Sequence, residues 1–422
     1  MRKKVCVIGL DGVPYTFLQK MFAQGFLPNL QALFREGNCV QMTASIPEVS
    51  SVSWTSFMTG CNSGSHGIYG FMDVCNGSRK VYFPNSHDIK ITPLWNDLKA
   101  EGKKSLIINL PSTYPARPMN GILISGFIAP KLENSVFPAQ YITKLREIGY
   151  RLDVRAEMVN GDIDFLFREL YEVMEKRFLT FNILNNEIDW DFFMPVITET
   201  DRLHHFLWSS YADEESLHHQ KFIDFYRTLD HLLGNLIINL PKETIIMALS
   251  DHGFTTTKTE VNLNYFLHQQ GLQGYRNNAP QFLEDLTPES KAFTLDPSRI
   301  YLNKASRFKS GTVREDEISS LINTIESFLM NLEYKGEKVI KKAYRPEELY
   351  SGNQLALAPD LICLSNDGFN LKGKLTGKSI FEQTEFSGTH TQNDAFFFST
   401  YNKEDLPNTI FDVKEYILKT FH

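Results

Sequence analysis

The segment Ser250-Asp251-His252-Gly253 directly follows the apolar run Thr244–Leu249 and has the residue types of a metal site or an acid–base site. In an open α/β sheet, side chains at the carboxyl ends of the strands meet at one edge, where ligands bind. Carboxylate and imidazole together suit borderline cations such as zinc. The alternative interpretation is a buried, hydrogen-bonded histidine beside an aspartate that caps the turn.

A second pair, Asp201 and His205, follows the apolar run Phe192–Ile197 at a spacing of four residues. One helical turn places two such side chains on the same face, which is a chelating geometry for zinc. His204, at a spacing of three, is interpreted as supporting or solvent-facing and is left outside the ligand set. A solvated helix surface is the alternative interpretation of this pair.

Asp11 follows the run Val5–Leu10, and Gly12 permits a tight turn directly after it. The carboxylate is therefore expected at the carboxyl end of a first strand. A helix-capping aspartate is the alternative. A haloacid dehalogenase site is excluded, because that motif needs a second Asp where this chain has Val13.

A hydroxyl-rich segment runs from Pro47 to Gly60 and is followed by His66-Gly67-Ile68. By itself it also fits a serine-rich loop that caps a helix. The pattern Pro-x-x-Ser, a tryptophan four positions later, Thr-Gly and then His-Gly-Ile resembles the nucleophile segment of the type I phosphodiesterase/nucleotide pyrophosphatase family of the alkaline phosphatase superfamily. The resemblance implies that Ser50 is both the attacking hydroxyl and a metal ligand.

The resemblance extends from Val5 to about Phe398, apart from the stretch 255–350, and Gly388-Thr389-His390 matches the last ligand of the superfamily. It implies two divalent ions, and the mixed Asp/His ligands favour zinc, with manganese as a substitute. Such a pair clamps a phosphoryl group and stabilises the attacking and leaving oxygens of an in-line displacement. The implied ligands are Asp201, His205 and His390 for one ion, and Asp11, Asp251, His252 and the Ser50 oxygen for the other.

Two departures from the family bear on the substrate. Nucleotide-cleaving members carry an aromatic residue directly after the nucleophile and an asparagine three positions after it, and here these positions are Ser51 and Ser53. Base stacking at Ser51 is therefore not expected, whereas Ser53 is predicted to donate a hydrogen bond to a phosphate oxygen. Trp54 and Tyr114 are candidate pocket walls, with a purely core position as the alternative.

No Lys or Arg lies between Arg35 and Arg79, so the segment around Ser50 brings no cation to a phosphomonoester dianion. This favours cleavage of phosphodiester or pyrophosphate bonds in a small phosphorylated substrate, through a phosphoseryl intermediate. A phosphomonoesterase, a phosphomutase and a metal-binding module without turnover are the alternatives. A serine acyl hydrolase is disfavoured, because the chain lacks a G-x-S-x-G elbow.

The elements that position these residues alternate between strand-length apolar runs and helical stretches, which predicts an α/β fold with a mainly parallel sheet flanked by helices. The family resemblance implies that this fold is alkaline phosphatase-like. Residues 1–254 and 351–422 are predicted to form the catalytic core, and 255–350 an inserted cap. The predicted strands are Val5–Leu10, Ser105–Leu110, Gly121–Ser125, Phe192–Ile197, Thr244–Leu249, Asp360–Leu364 and Ala395–Ser399. The predicted helices are Asp164–Asn186, Leu217–Ile238, Glu315–Met330 and Val413–Thr420.

The composition indicates which binding partners and which cellular compartment to expect. A formal charge of -7 provides no overall positive field for a long nucleic acid. The 5 cysteines are scattered without a C-x-x-C pair, which favours a reducing compartment and a cytoplasmic protein. No stretch approaches the roughly 20 apolar residues of a membrane span, so no membrane partner is expected.

Overall fold

A computed structural model describes residues 2–402 and 405–422, and contacts divide the chain into two units. Unit 1 contains Met1–Cys61, Asn85–Phe254 and Glu385–His422, and unit 2 contains Asn62–Pro84 and Thr255–Thr384. Within the described residues, none of the helices has the length and apolar character needed to cross a bilayer.

The helices, in chain order, are α1 (Tyr15–Ala23), α2 (Pro28–Phe34), α3 (Ser50–Thr59), α4 (Ser63–His66), α5 (Leu94–Ala100), α6 (Tyr141–Ile148), α7 (Ile163–Glu187), α8 (Glu199–Ala212), α9 (His219–Ile238), α10 (Leu263–Gln269), α11 (Glu315–Met330), α12 (Pro346–Leu349) and α13 (Val413–Phe421). The strands are β1 (Val5–Leu10), β2 (Asn38–Met42), β3 (Asp73–Val74), β4 (Val81–Tyr82), β5 (Ser105–Leu110), β6 (Gly121–Ser125), β7 (Val136–Phe137), β8 (Phe192–Ile197), β9 (Ile245–Leu249), β10 (Gly253–Thr256), β11 (Thr259–Asn262), β12 (Ala292–Leu295), β13 (Arg299–Leu302), β14 (Glu333–Tyr334), β15 (Glu337–Lys338), β16 (Ile340–Tyr344), β17 (Leu361–Ser365), β18 (Phe369–Lys372), β19 (Phe381–Glu382), β20 (Gly388–Thr391) and β21 (Ala395–Ser399).

Unit 1 is built on an eight-stranded sheet in the order β2-β21-β9-β1-β8-β5-β6-β7. Its five central strands, β9, β1, β8, β5 and β6, run parallel, while β2, β21 and β7 pair antiparallel at the two sides. β1, β5 and β8 are buried along their whole length, as expected for strands covered by helices on both faces. The predicted α/β fold is confirmed.

Most of the predicted elements of unit 1 have the expected bounds, because their apolar runs are continuous and end at turn residues. β1, β5, β6, β8 and β21 begin and end at the predicted residues, and β9 begins one residue later than predicted. The central helices α7 and α9 differ from prediction by one or two residues at an end, which is the usual uncertainty of a helix terminus.

Unit 2 has its own sheets and its own hydrophobic core. Its four-stranded sheet has the order β12-β13-β17-β16, and β17 pairs with β13 and with β16. The run Asp360–Leu364, predicted as a core strand, therefore lies in this sheet. Unit 2 also extends past the predicted cap boundary at 350 and includes 62–84. An apolar run in the sequence does not indicate which sheet it joins, and the division into a catalytic core and an inserted cap stays a prediction.

Candidate active site

The strands β1, β8 and β9 are neighbours in the sheet, and each delivers a carboxylate at its carboxyl end. The Asp11 backbone N–H donates to Ile197 O at 2.9 Å, which joins the ends of β1 and β8. The Thr200 hydroxyl donates to Asp11 O at 2.6 Å, and the Gly12 N–H donates to an Asp251 carboxylate oxygen at 3.1 Å. These bonds hold the three strand ends in one fixed arrangement.

The turn after Asp11 depends on Gly12, whose φ of +66° lies in the left-handed region. A Cβ added here would meet the Phe254 ring at 2.8 Å. The Gly12 carbonyl accepts from His204 Nδ1 at 3.0 Å, and Tyr226 OH donates to His204 Nε2 at 2.6 Å. Burial lowers the pKa of His204 to about 3. Since both of its ring nitrogens are engaged, His204 supports the turn, which is one of the two interpretations its position allowed.

Three other histidines point their Nε2 atoms into one space, because each Nδ1–H is taken by a backbone carbonyl. In a neutral ring this leaves a lone pair on Nε2, which is the arrangement typical of metal-binding histidines. The carbonyls are Gly388 O for His205, Gly253 O for His252 and Glu48 O for His390, at 3.3, 3.1 and 2.8 Å.

The imidazoles gather around Asp201. Its Oδ1 lies 3.3 Å from His390 Nε2 and 3.5 Å from His205 Nε2, and these two nitrogens are 3.1 Å apart. Ligand atoms within 4.8 Å of one another form two groups, Asp201 with His252 and His390, and Asp11 with Asp251 and His252. The structure thus brings together all seven predicted ligands, with His252 between the two groups.

Ser50, the first residue of α3, directs its hydroxyl into the same space. Its Oγ lies 3.2 Å from Asp11 Oδ1 and 3.2 Å from His252 Nε2. One turn later, the indole N–H of Trp54 donates to Asp11 Oδ2 at 3.0 Å. Gly9 in β1 makes room for the indole, since a Cβ there would lie 2.9 Å from the ring. α3 therefore supplies both a hydroxyl and a second donor that orients Asp11.

Three buried carboxylates in one space repel one another unless cations neutralise them. Burial, followed by the charges of Asp251 and Asp201, raises the pKa of Asp11 well above its ordinary value. Burial raises the pKa of Asp251 to about 7. For Asp201, burial is outweighed by the neighbouring histidines, which lower its pKa.

The donor set fits divalent cations. Asp201 Oδ1 and Asp251 Oδ2 are buried carboxylate oxygens without a hydrogen-bond partner among the described residues. Such oxygens are costly unless a proton or a cation compensates them. Together with three Nε2 lone pairs, they form a mixed Asp/His shell of the kind that binds zinc.

The three predicted substrate-binding residues, Ser53, Trp54 and Tyr114, differ in their burial and in their hydrogen-bond partners. The Ser53 hydroxyl is fully buried and bonds to Ser45 Oγ at 2.7 Å. Trp54 is also fully buried and donates to Asp11 as described, so it orients the Asp11 carboxylate rather than lining an open wall. Tyr114 is half-buried, and its hydroxyl accepts from Asn134 Nδ2 at 3.3 Å. A substrate contact for any of the three stays a prediction.

Arg202 is not among the predicted site residues, yet it lies beside the cluster. Its Nη2 donates to Asp153 Oδ2 at 2.6 Å, and its Nη1 is 3.9 Å from Asp201 Oδ2. The guanidinium also stacks 4.1 Å from the Phe127 ring centroid. Among the described residues, this is the Lys or Arg that contacts a predicted ligand. In the sequence, the position of Arg202 directly after Asp201 is the feature that could have indicated a cation at the site. No feature of the sequence indicates that Asp153 pairs with it.

Comparisons with known proteins give the following similarities. The family described as type I phosphodiesterase/nucleotide pyrophosphatase matches residues 5–393. No curated protein matches the chain significantly. Phosphonoacetate hydrolase from Sinorhizobium meliloti 1021, in complex with phosphonoformate, superposes with a TM-score of 0.68 at 14% identity, covering 100% of this chain and 96% of that chain. Murine ectonucleotide pyrophosphatase/phosphodiesterase 5, as an inactive variant in complex with AMP, gives a TM-score of 0.59 at 14% identity, covering 100% and 95%.

Proposed function

Because the chain belongs to the type I phosphodiesterase/nucleotide pyrophosphatase family, we propose that it cleaves phosphodiester or pyrophosphate bonds of a small substrate through a phosphoseryl intermediate on Ser50. The family consists of phosphoester hydrolases, so the predicted enzyme class is confirmed at that level. The observation that carries the finer proposal is the convergence of three imidazole Nε2 atoms and three carboxylates beside the Ser50 hydroxyl.

The proposed ligands divide between two divalent ions. Asp201, His205 and His390 would hold one, and Asp11, Asp251, His252 and Ser50 the other. The Asp/His composition favours zinc, with manganese as a substitute. When bound, the ions supply positive charge at the attacking and leaving oxygens.

The surroundings of Ser50 hold its hydroxyl in place. Asp11 Oδ1 and His252 Nε2 are both acceptors 3.2 Å from its Oγ and position the protonated hydroxyl, whereas the bound ions would supply the positive charge that favours its ionised form. As the first residue of α3, Ser50 also lies at the positive end of the helix dipole. In the first step, Ser50 Oγ gives its proton to solvent and attacks phosphorus, an Oγ–P bond forms as a P–O ester bond breaks, and the leaving oxygen takes the bonding electrons and a proton from solvent. Water then attacks phosphorus and breaks the Oγ–P bond, so that the water oxygen stays on the released phosphoryl product and a proton returns to Ser50 Oγ.

The ligands in the complexes of the similar structures support the proposal of a small substrate. Phosphonoacetate hydrolase was crystallised with phosphonoformate and with phosphonoacetate, and the murine protein with AMP. All three ligands carry one phosphorus group on a small organic portion. We assign the same class of substrate to this chain.

A phosphomonoesterase is the second candidate, and Arg202 favours it. A monoester dianion needs a positive group near the phosphorus, and the Arg202 guanidinium lies 3.9 Å from Asp201. Its two bonds to Asp153, however, already offset that charge. The diester therefore remains the better substrate in our proposal.

Hydrolysis of bis-p-nitrophenyl phosphate by purified protein tests the proposal. Turnover should disappear on dialysis against a chelator, return with zinc or manganese, and be absent from Ser50→Ala. A protein that binds two metal ions but hydrolyses neither the diester nor p-nitrophenyl phosphate would instead be a metal-binding module without turnover.

The cytoplasmic location is also a proposal. All five cysteines are free thiols, and burial raises the pKa values of Cys39 to about 12 and of Cys363 to about 12. Protonated, unpaired thiols are typical of proteins that fold in a reducing compartment.

A further inference from the structure

Unit 1 contains a cavity of about 220 Å³ between α3, the segment 86–96 and the segment that follows β5. Its apolar wall includes Met58, Ile89 and Trp95, all of them buried. Its polar wall includes Lys90 and Arg117. The proposed mechanism uses none of these residues.

The cavity lies at the catalytic edge of the sheet. β5 runs parallel to β8, so its carboxyl end is on the side where Asp201 follows β8. Ser112, two residues past β5, lines the cavity, and its hydroxyl donates to Ser51 O at 3.3 Å. One cavity wall is thus bonded directly to the residue that follows Ser50.

The backbone that brings Ser112 to Ser51 is strained. Asn109 has a φ of +69° at an irregularity of the β5–β6 pairing, and Ser112 has a φ of +62°. Non-glycine residues in this region are strained and persist where the surrounding structure fixes them. Asn109 is fixed by bonds from its side chain to Val196 O at 3.0 Å and to Thr198 Oγ1 at 3.2 Å. The path from the strand end to the cavity is therefore held in place.

The charge of the cavity wall is opposite to that of the chain. The wall contains no Asp or Glu, whereas the whole chain has a net charge of -7. Within the described residues, neither Lys90 nor Arg117 forms an ion pair. Arg117 Nη1 donates to Ser86 O at 3.4 Å, and Ser86 also lines the cavity. Two cations without counter-charges beside an apolar floor fit an organic anion.

We propose that this cavity binds the portion of the substrate beyond the phosphorus, and that this portion carries a second anionic group, such as a carboxylate, on a short apolar chain or ring. The apolar wall around Trp95 takes the chain or ring, and Lys90 and Arg117 take the anion. The assignment to the substrate rests on the proposed function, whereas the preference for an anion does not.

The anion preference is measured by calorimetric titration of the metal-loaded protein with benzoate and with benzamide, its neutral counterpart. Benzoate should bind at least about fivefold more tightly, and Lys90→Gln and Arg117→Gln should each remove most of that difference. Lys99→Gln, an exposed cation of α5 outside the cavity wall, is the matched control and should leave it unchanged. Equal affinity for the two compounds in the wild type, or an equal loss in the control, would overturn the proposal.

The link to catalysis is measured with 2-carboxyethyl p-nitrophenyl phosphate and ethyl p-nitrophenyl phosphate. The carboxylate substrate should have the higher kcat/KM, by roughly tenfold, through a lower KM, and Arg117→Gln should reduce that ratio, whereas the control Lys99→Gln should leave the ratio unchanged. A wild type that turns over neither substrate contradicts the proposed function, while the benzoate titration still decides the cavity. Equal kcat/KM values together with selective benzoate binding would reject the substrate assignment.

Discussion

The indole N–H of Trp54 donates to Asp11 Oδ2 at 3.0 Å, while Asp11 Oδ1 faces the Ser50 hydroxyl. Both side chains are buried, so this bond fixes the Asp11 carboxylate without competition from water. The tryptophan of the serine-rich segment is therefore placed as a partner of a proposed metal ligand.

Trp54→Phe should lower kcat/KM for bis-p-nitrophenyl phosphate by about tenfold, because a hydrogen bond to a charged group contributes about 1.5–3 kcal/mol. Zinc affinity, measured by competition with a chelator, should fall with it. Trp190→Phe is the matched control, since that indole is equally buried and donates to Asn185 at 3.1 Å. Equal kinetic losses in the two variants would indicate general destabilisation.

Ser50→Ala should reduce turnover by roughly 10⁴-fold or more, as expected when a nucleophile is removed. Metal content should stay near two ions per chain, because Ser50 is one of seven proposed ligands. Ser51→Ala is the comparison variant, and it should keep its activity. Elemental analysis and steady-state kinetics on both proteins check this, and an active Ser50→Ala beside an inactive Ser51→Ala would move the nucleophile to Ser51.

The adjacent residues His204 and His205 should respond differently to alanine. His205→Ala removes a proposed ligand, so one zinc ion per chain should be lost even at saturating zinc. His204→Ala removes the bonds to Gly12 O and Tyr226 OH, so its Tm should fall while the zinc content is retained. The measurements are elemental analysis after gel filtration and thermal unfolding. Full zinc occupancy in His205→Ala would contradict the proposed site.

The sequence predicted the residues that follow strands, because an apolar run that ends in Asp-Gly or Asp-His-Gly shows both where the strand stops and which side chain emerges. Asp11 and Asp251 were readable in that way. The contact between Arg202 and Asp153 was not, since Asp153 lies in an irregular segment and meets Arg202 only through tertiary packing. The sequence also did not indicate that β17 belongs to unit 2, because the strands with which an apolar run pairs are set by tertiary packing.

Asp251 should make the metal-free protein sensitive to pH. Burial raises its pKa to about 7, above an unfolded value near 3.8. A raised folded pKa stabilises the protein fully below pH 3.8, and this contribution is lost as pH rises through 7. We therefore compare the free energy of unfolding of Asp251→Asn with that of the wild type in excess chelator. The value for the variant minus the value for the wild type should increase by about 1 kcal/mol or more from pH 5 to pH 8.

Urea denaturation at the two pH values measures this difference, with the exposed Asp213→Asn as a control. Added zinc should reverse the order at pH 8, because only the wild type keeps all the proposed ligands. A difference that does not change with pH would show that the Asp251 carboxyl is ionised in the metal-free protein without cost.

The substrate preference should follow from the pairing of Arg202 with Asp153. Asp153 accepts two hydrogen bonds from the guanidinium, so little of the Arg202 charge remains for a phosphomonoester dianion near Asp201. A diester monoanion brings one less negative charge into a site that already holds Asp11 and Asp251. One missing charge-assisted contact of roughly 2 kcal/mol corresponds to more than tenfold in rate. The kcat/KM for bis-p-nitrophenyl phosphate should exceed that for p-nitrophenyl phosphate by at least that margin.

Two variants test this explanation of the ranking. Asp153→Asn removes the counter-charge of Arg202, so it should raise kcat/KM for the monoester relative to the diester. Arg202→Met should lower kcat/KM for the monoester below the wild-type value. It should leave kcat/KM for the diester within about threefold of the wild-type value, because the diester does not need the guanidinium. The opposite ranking in the wild type, abolished by Arg202→Met, would mean that Arg202 binds the phosphoryl group despite Asp153 and that the protein is a phosphomonoesterase.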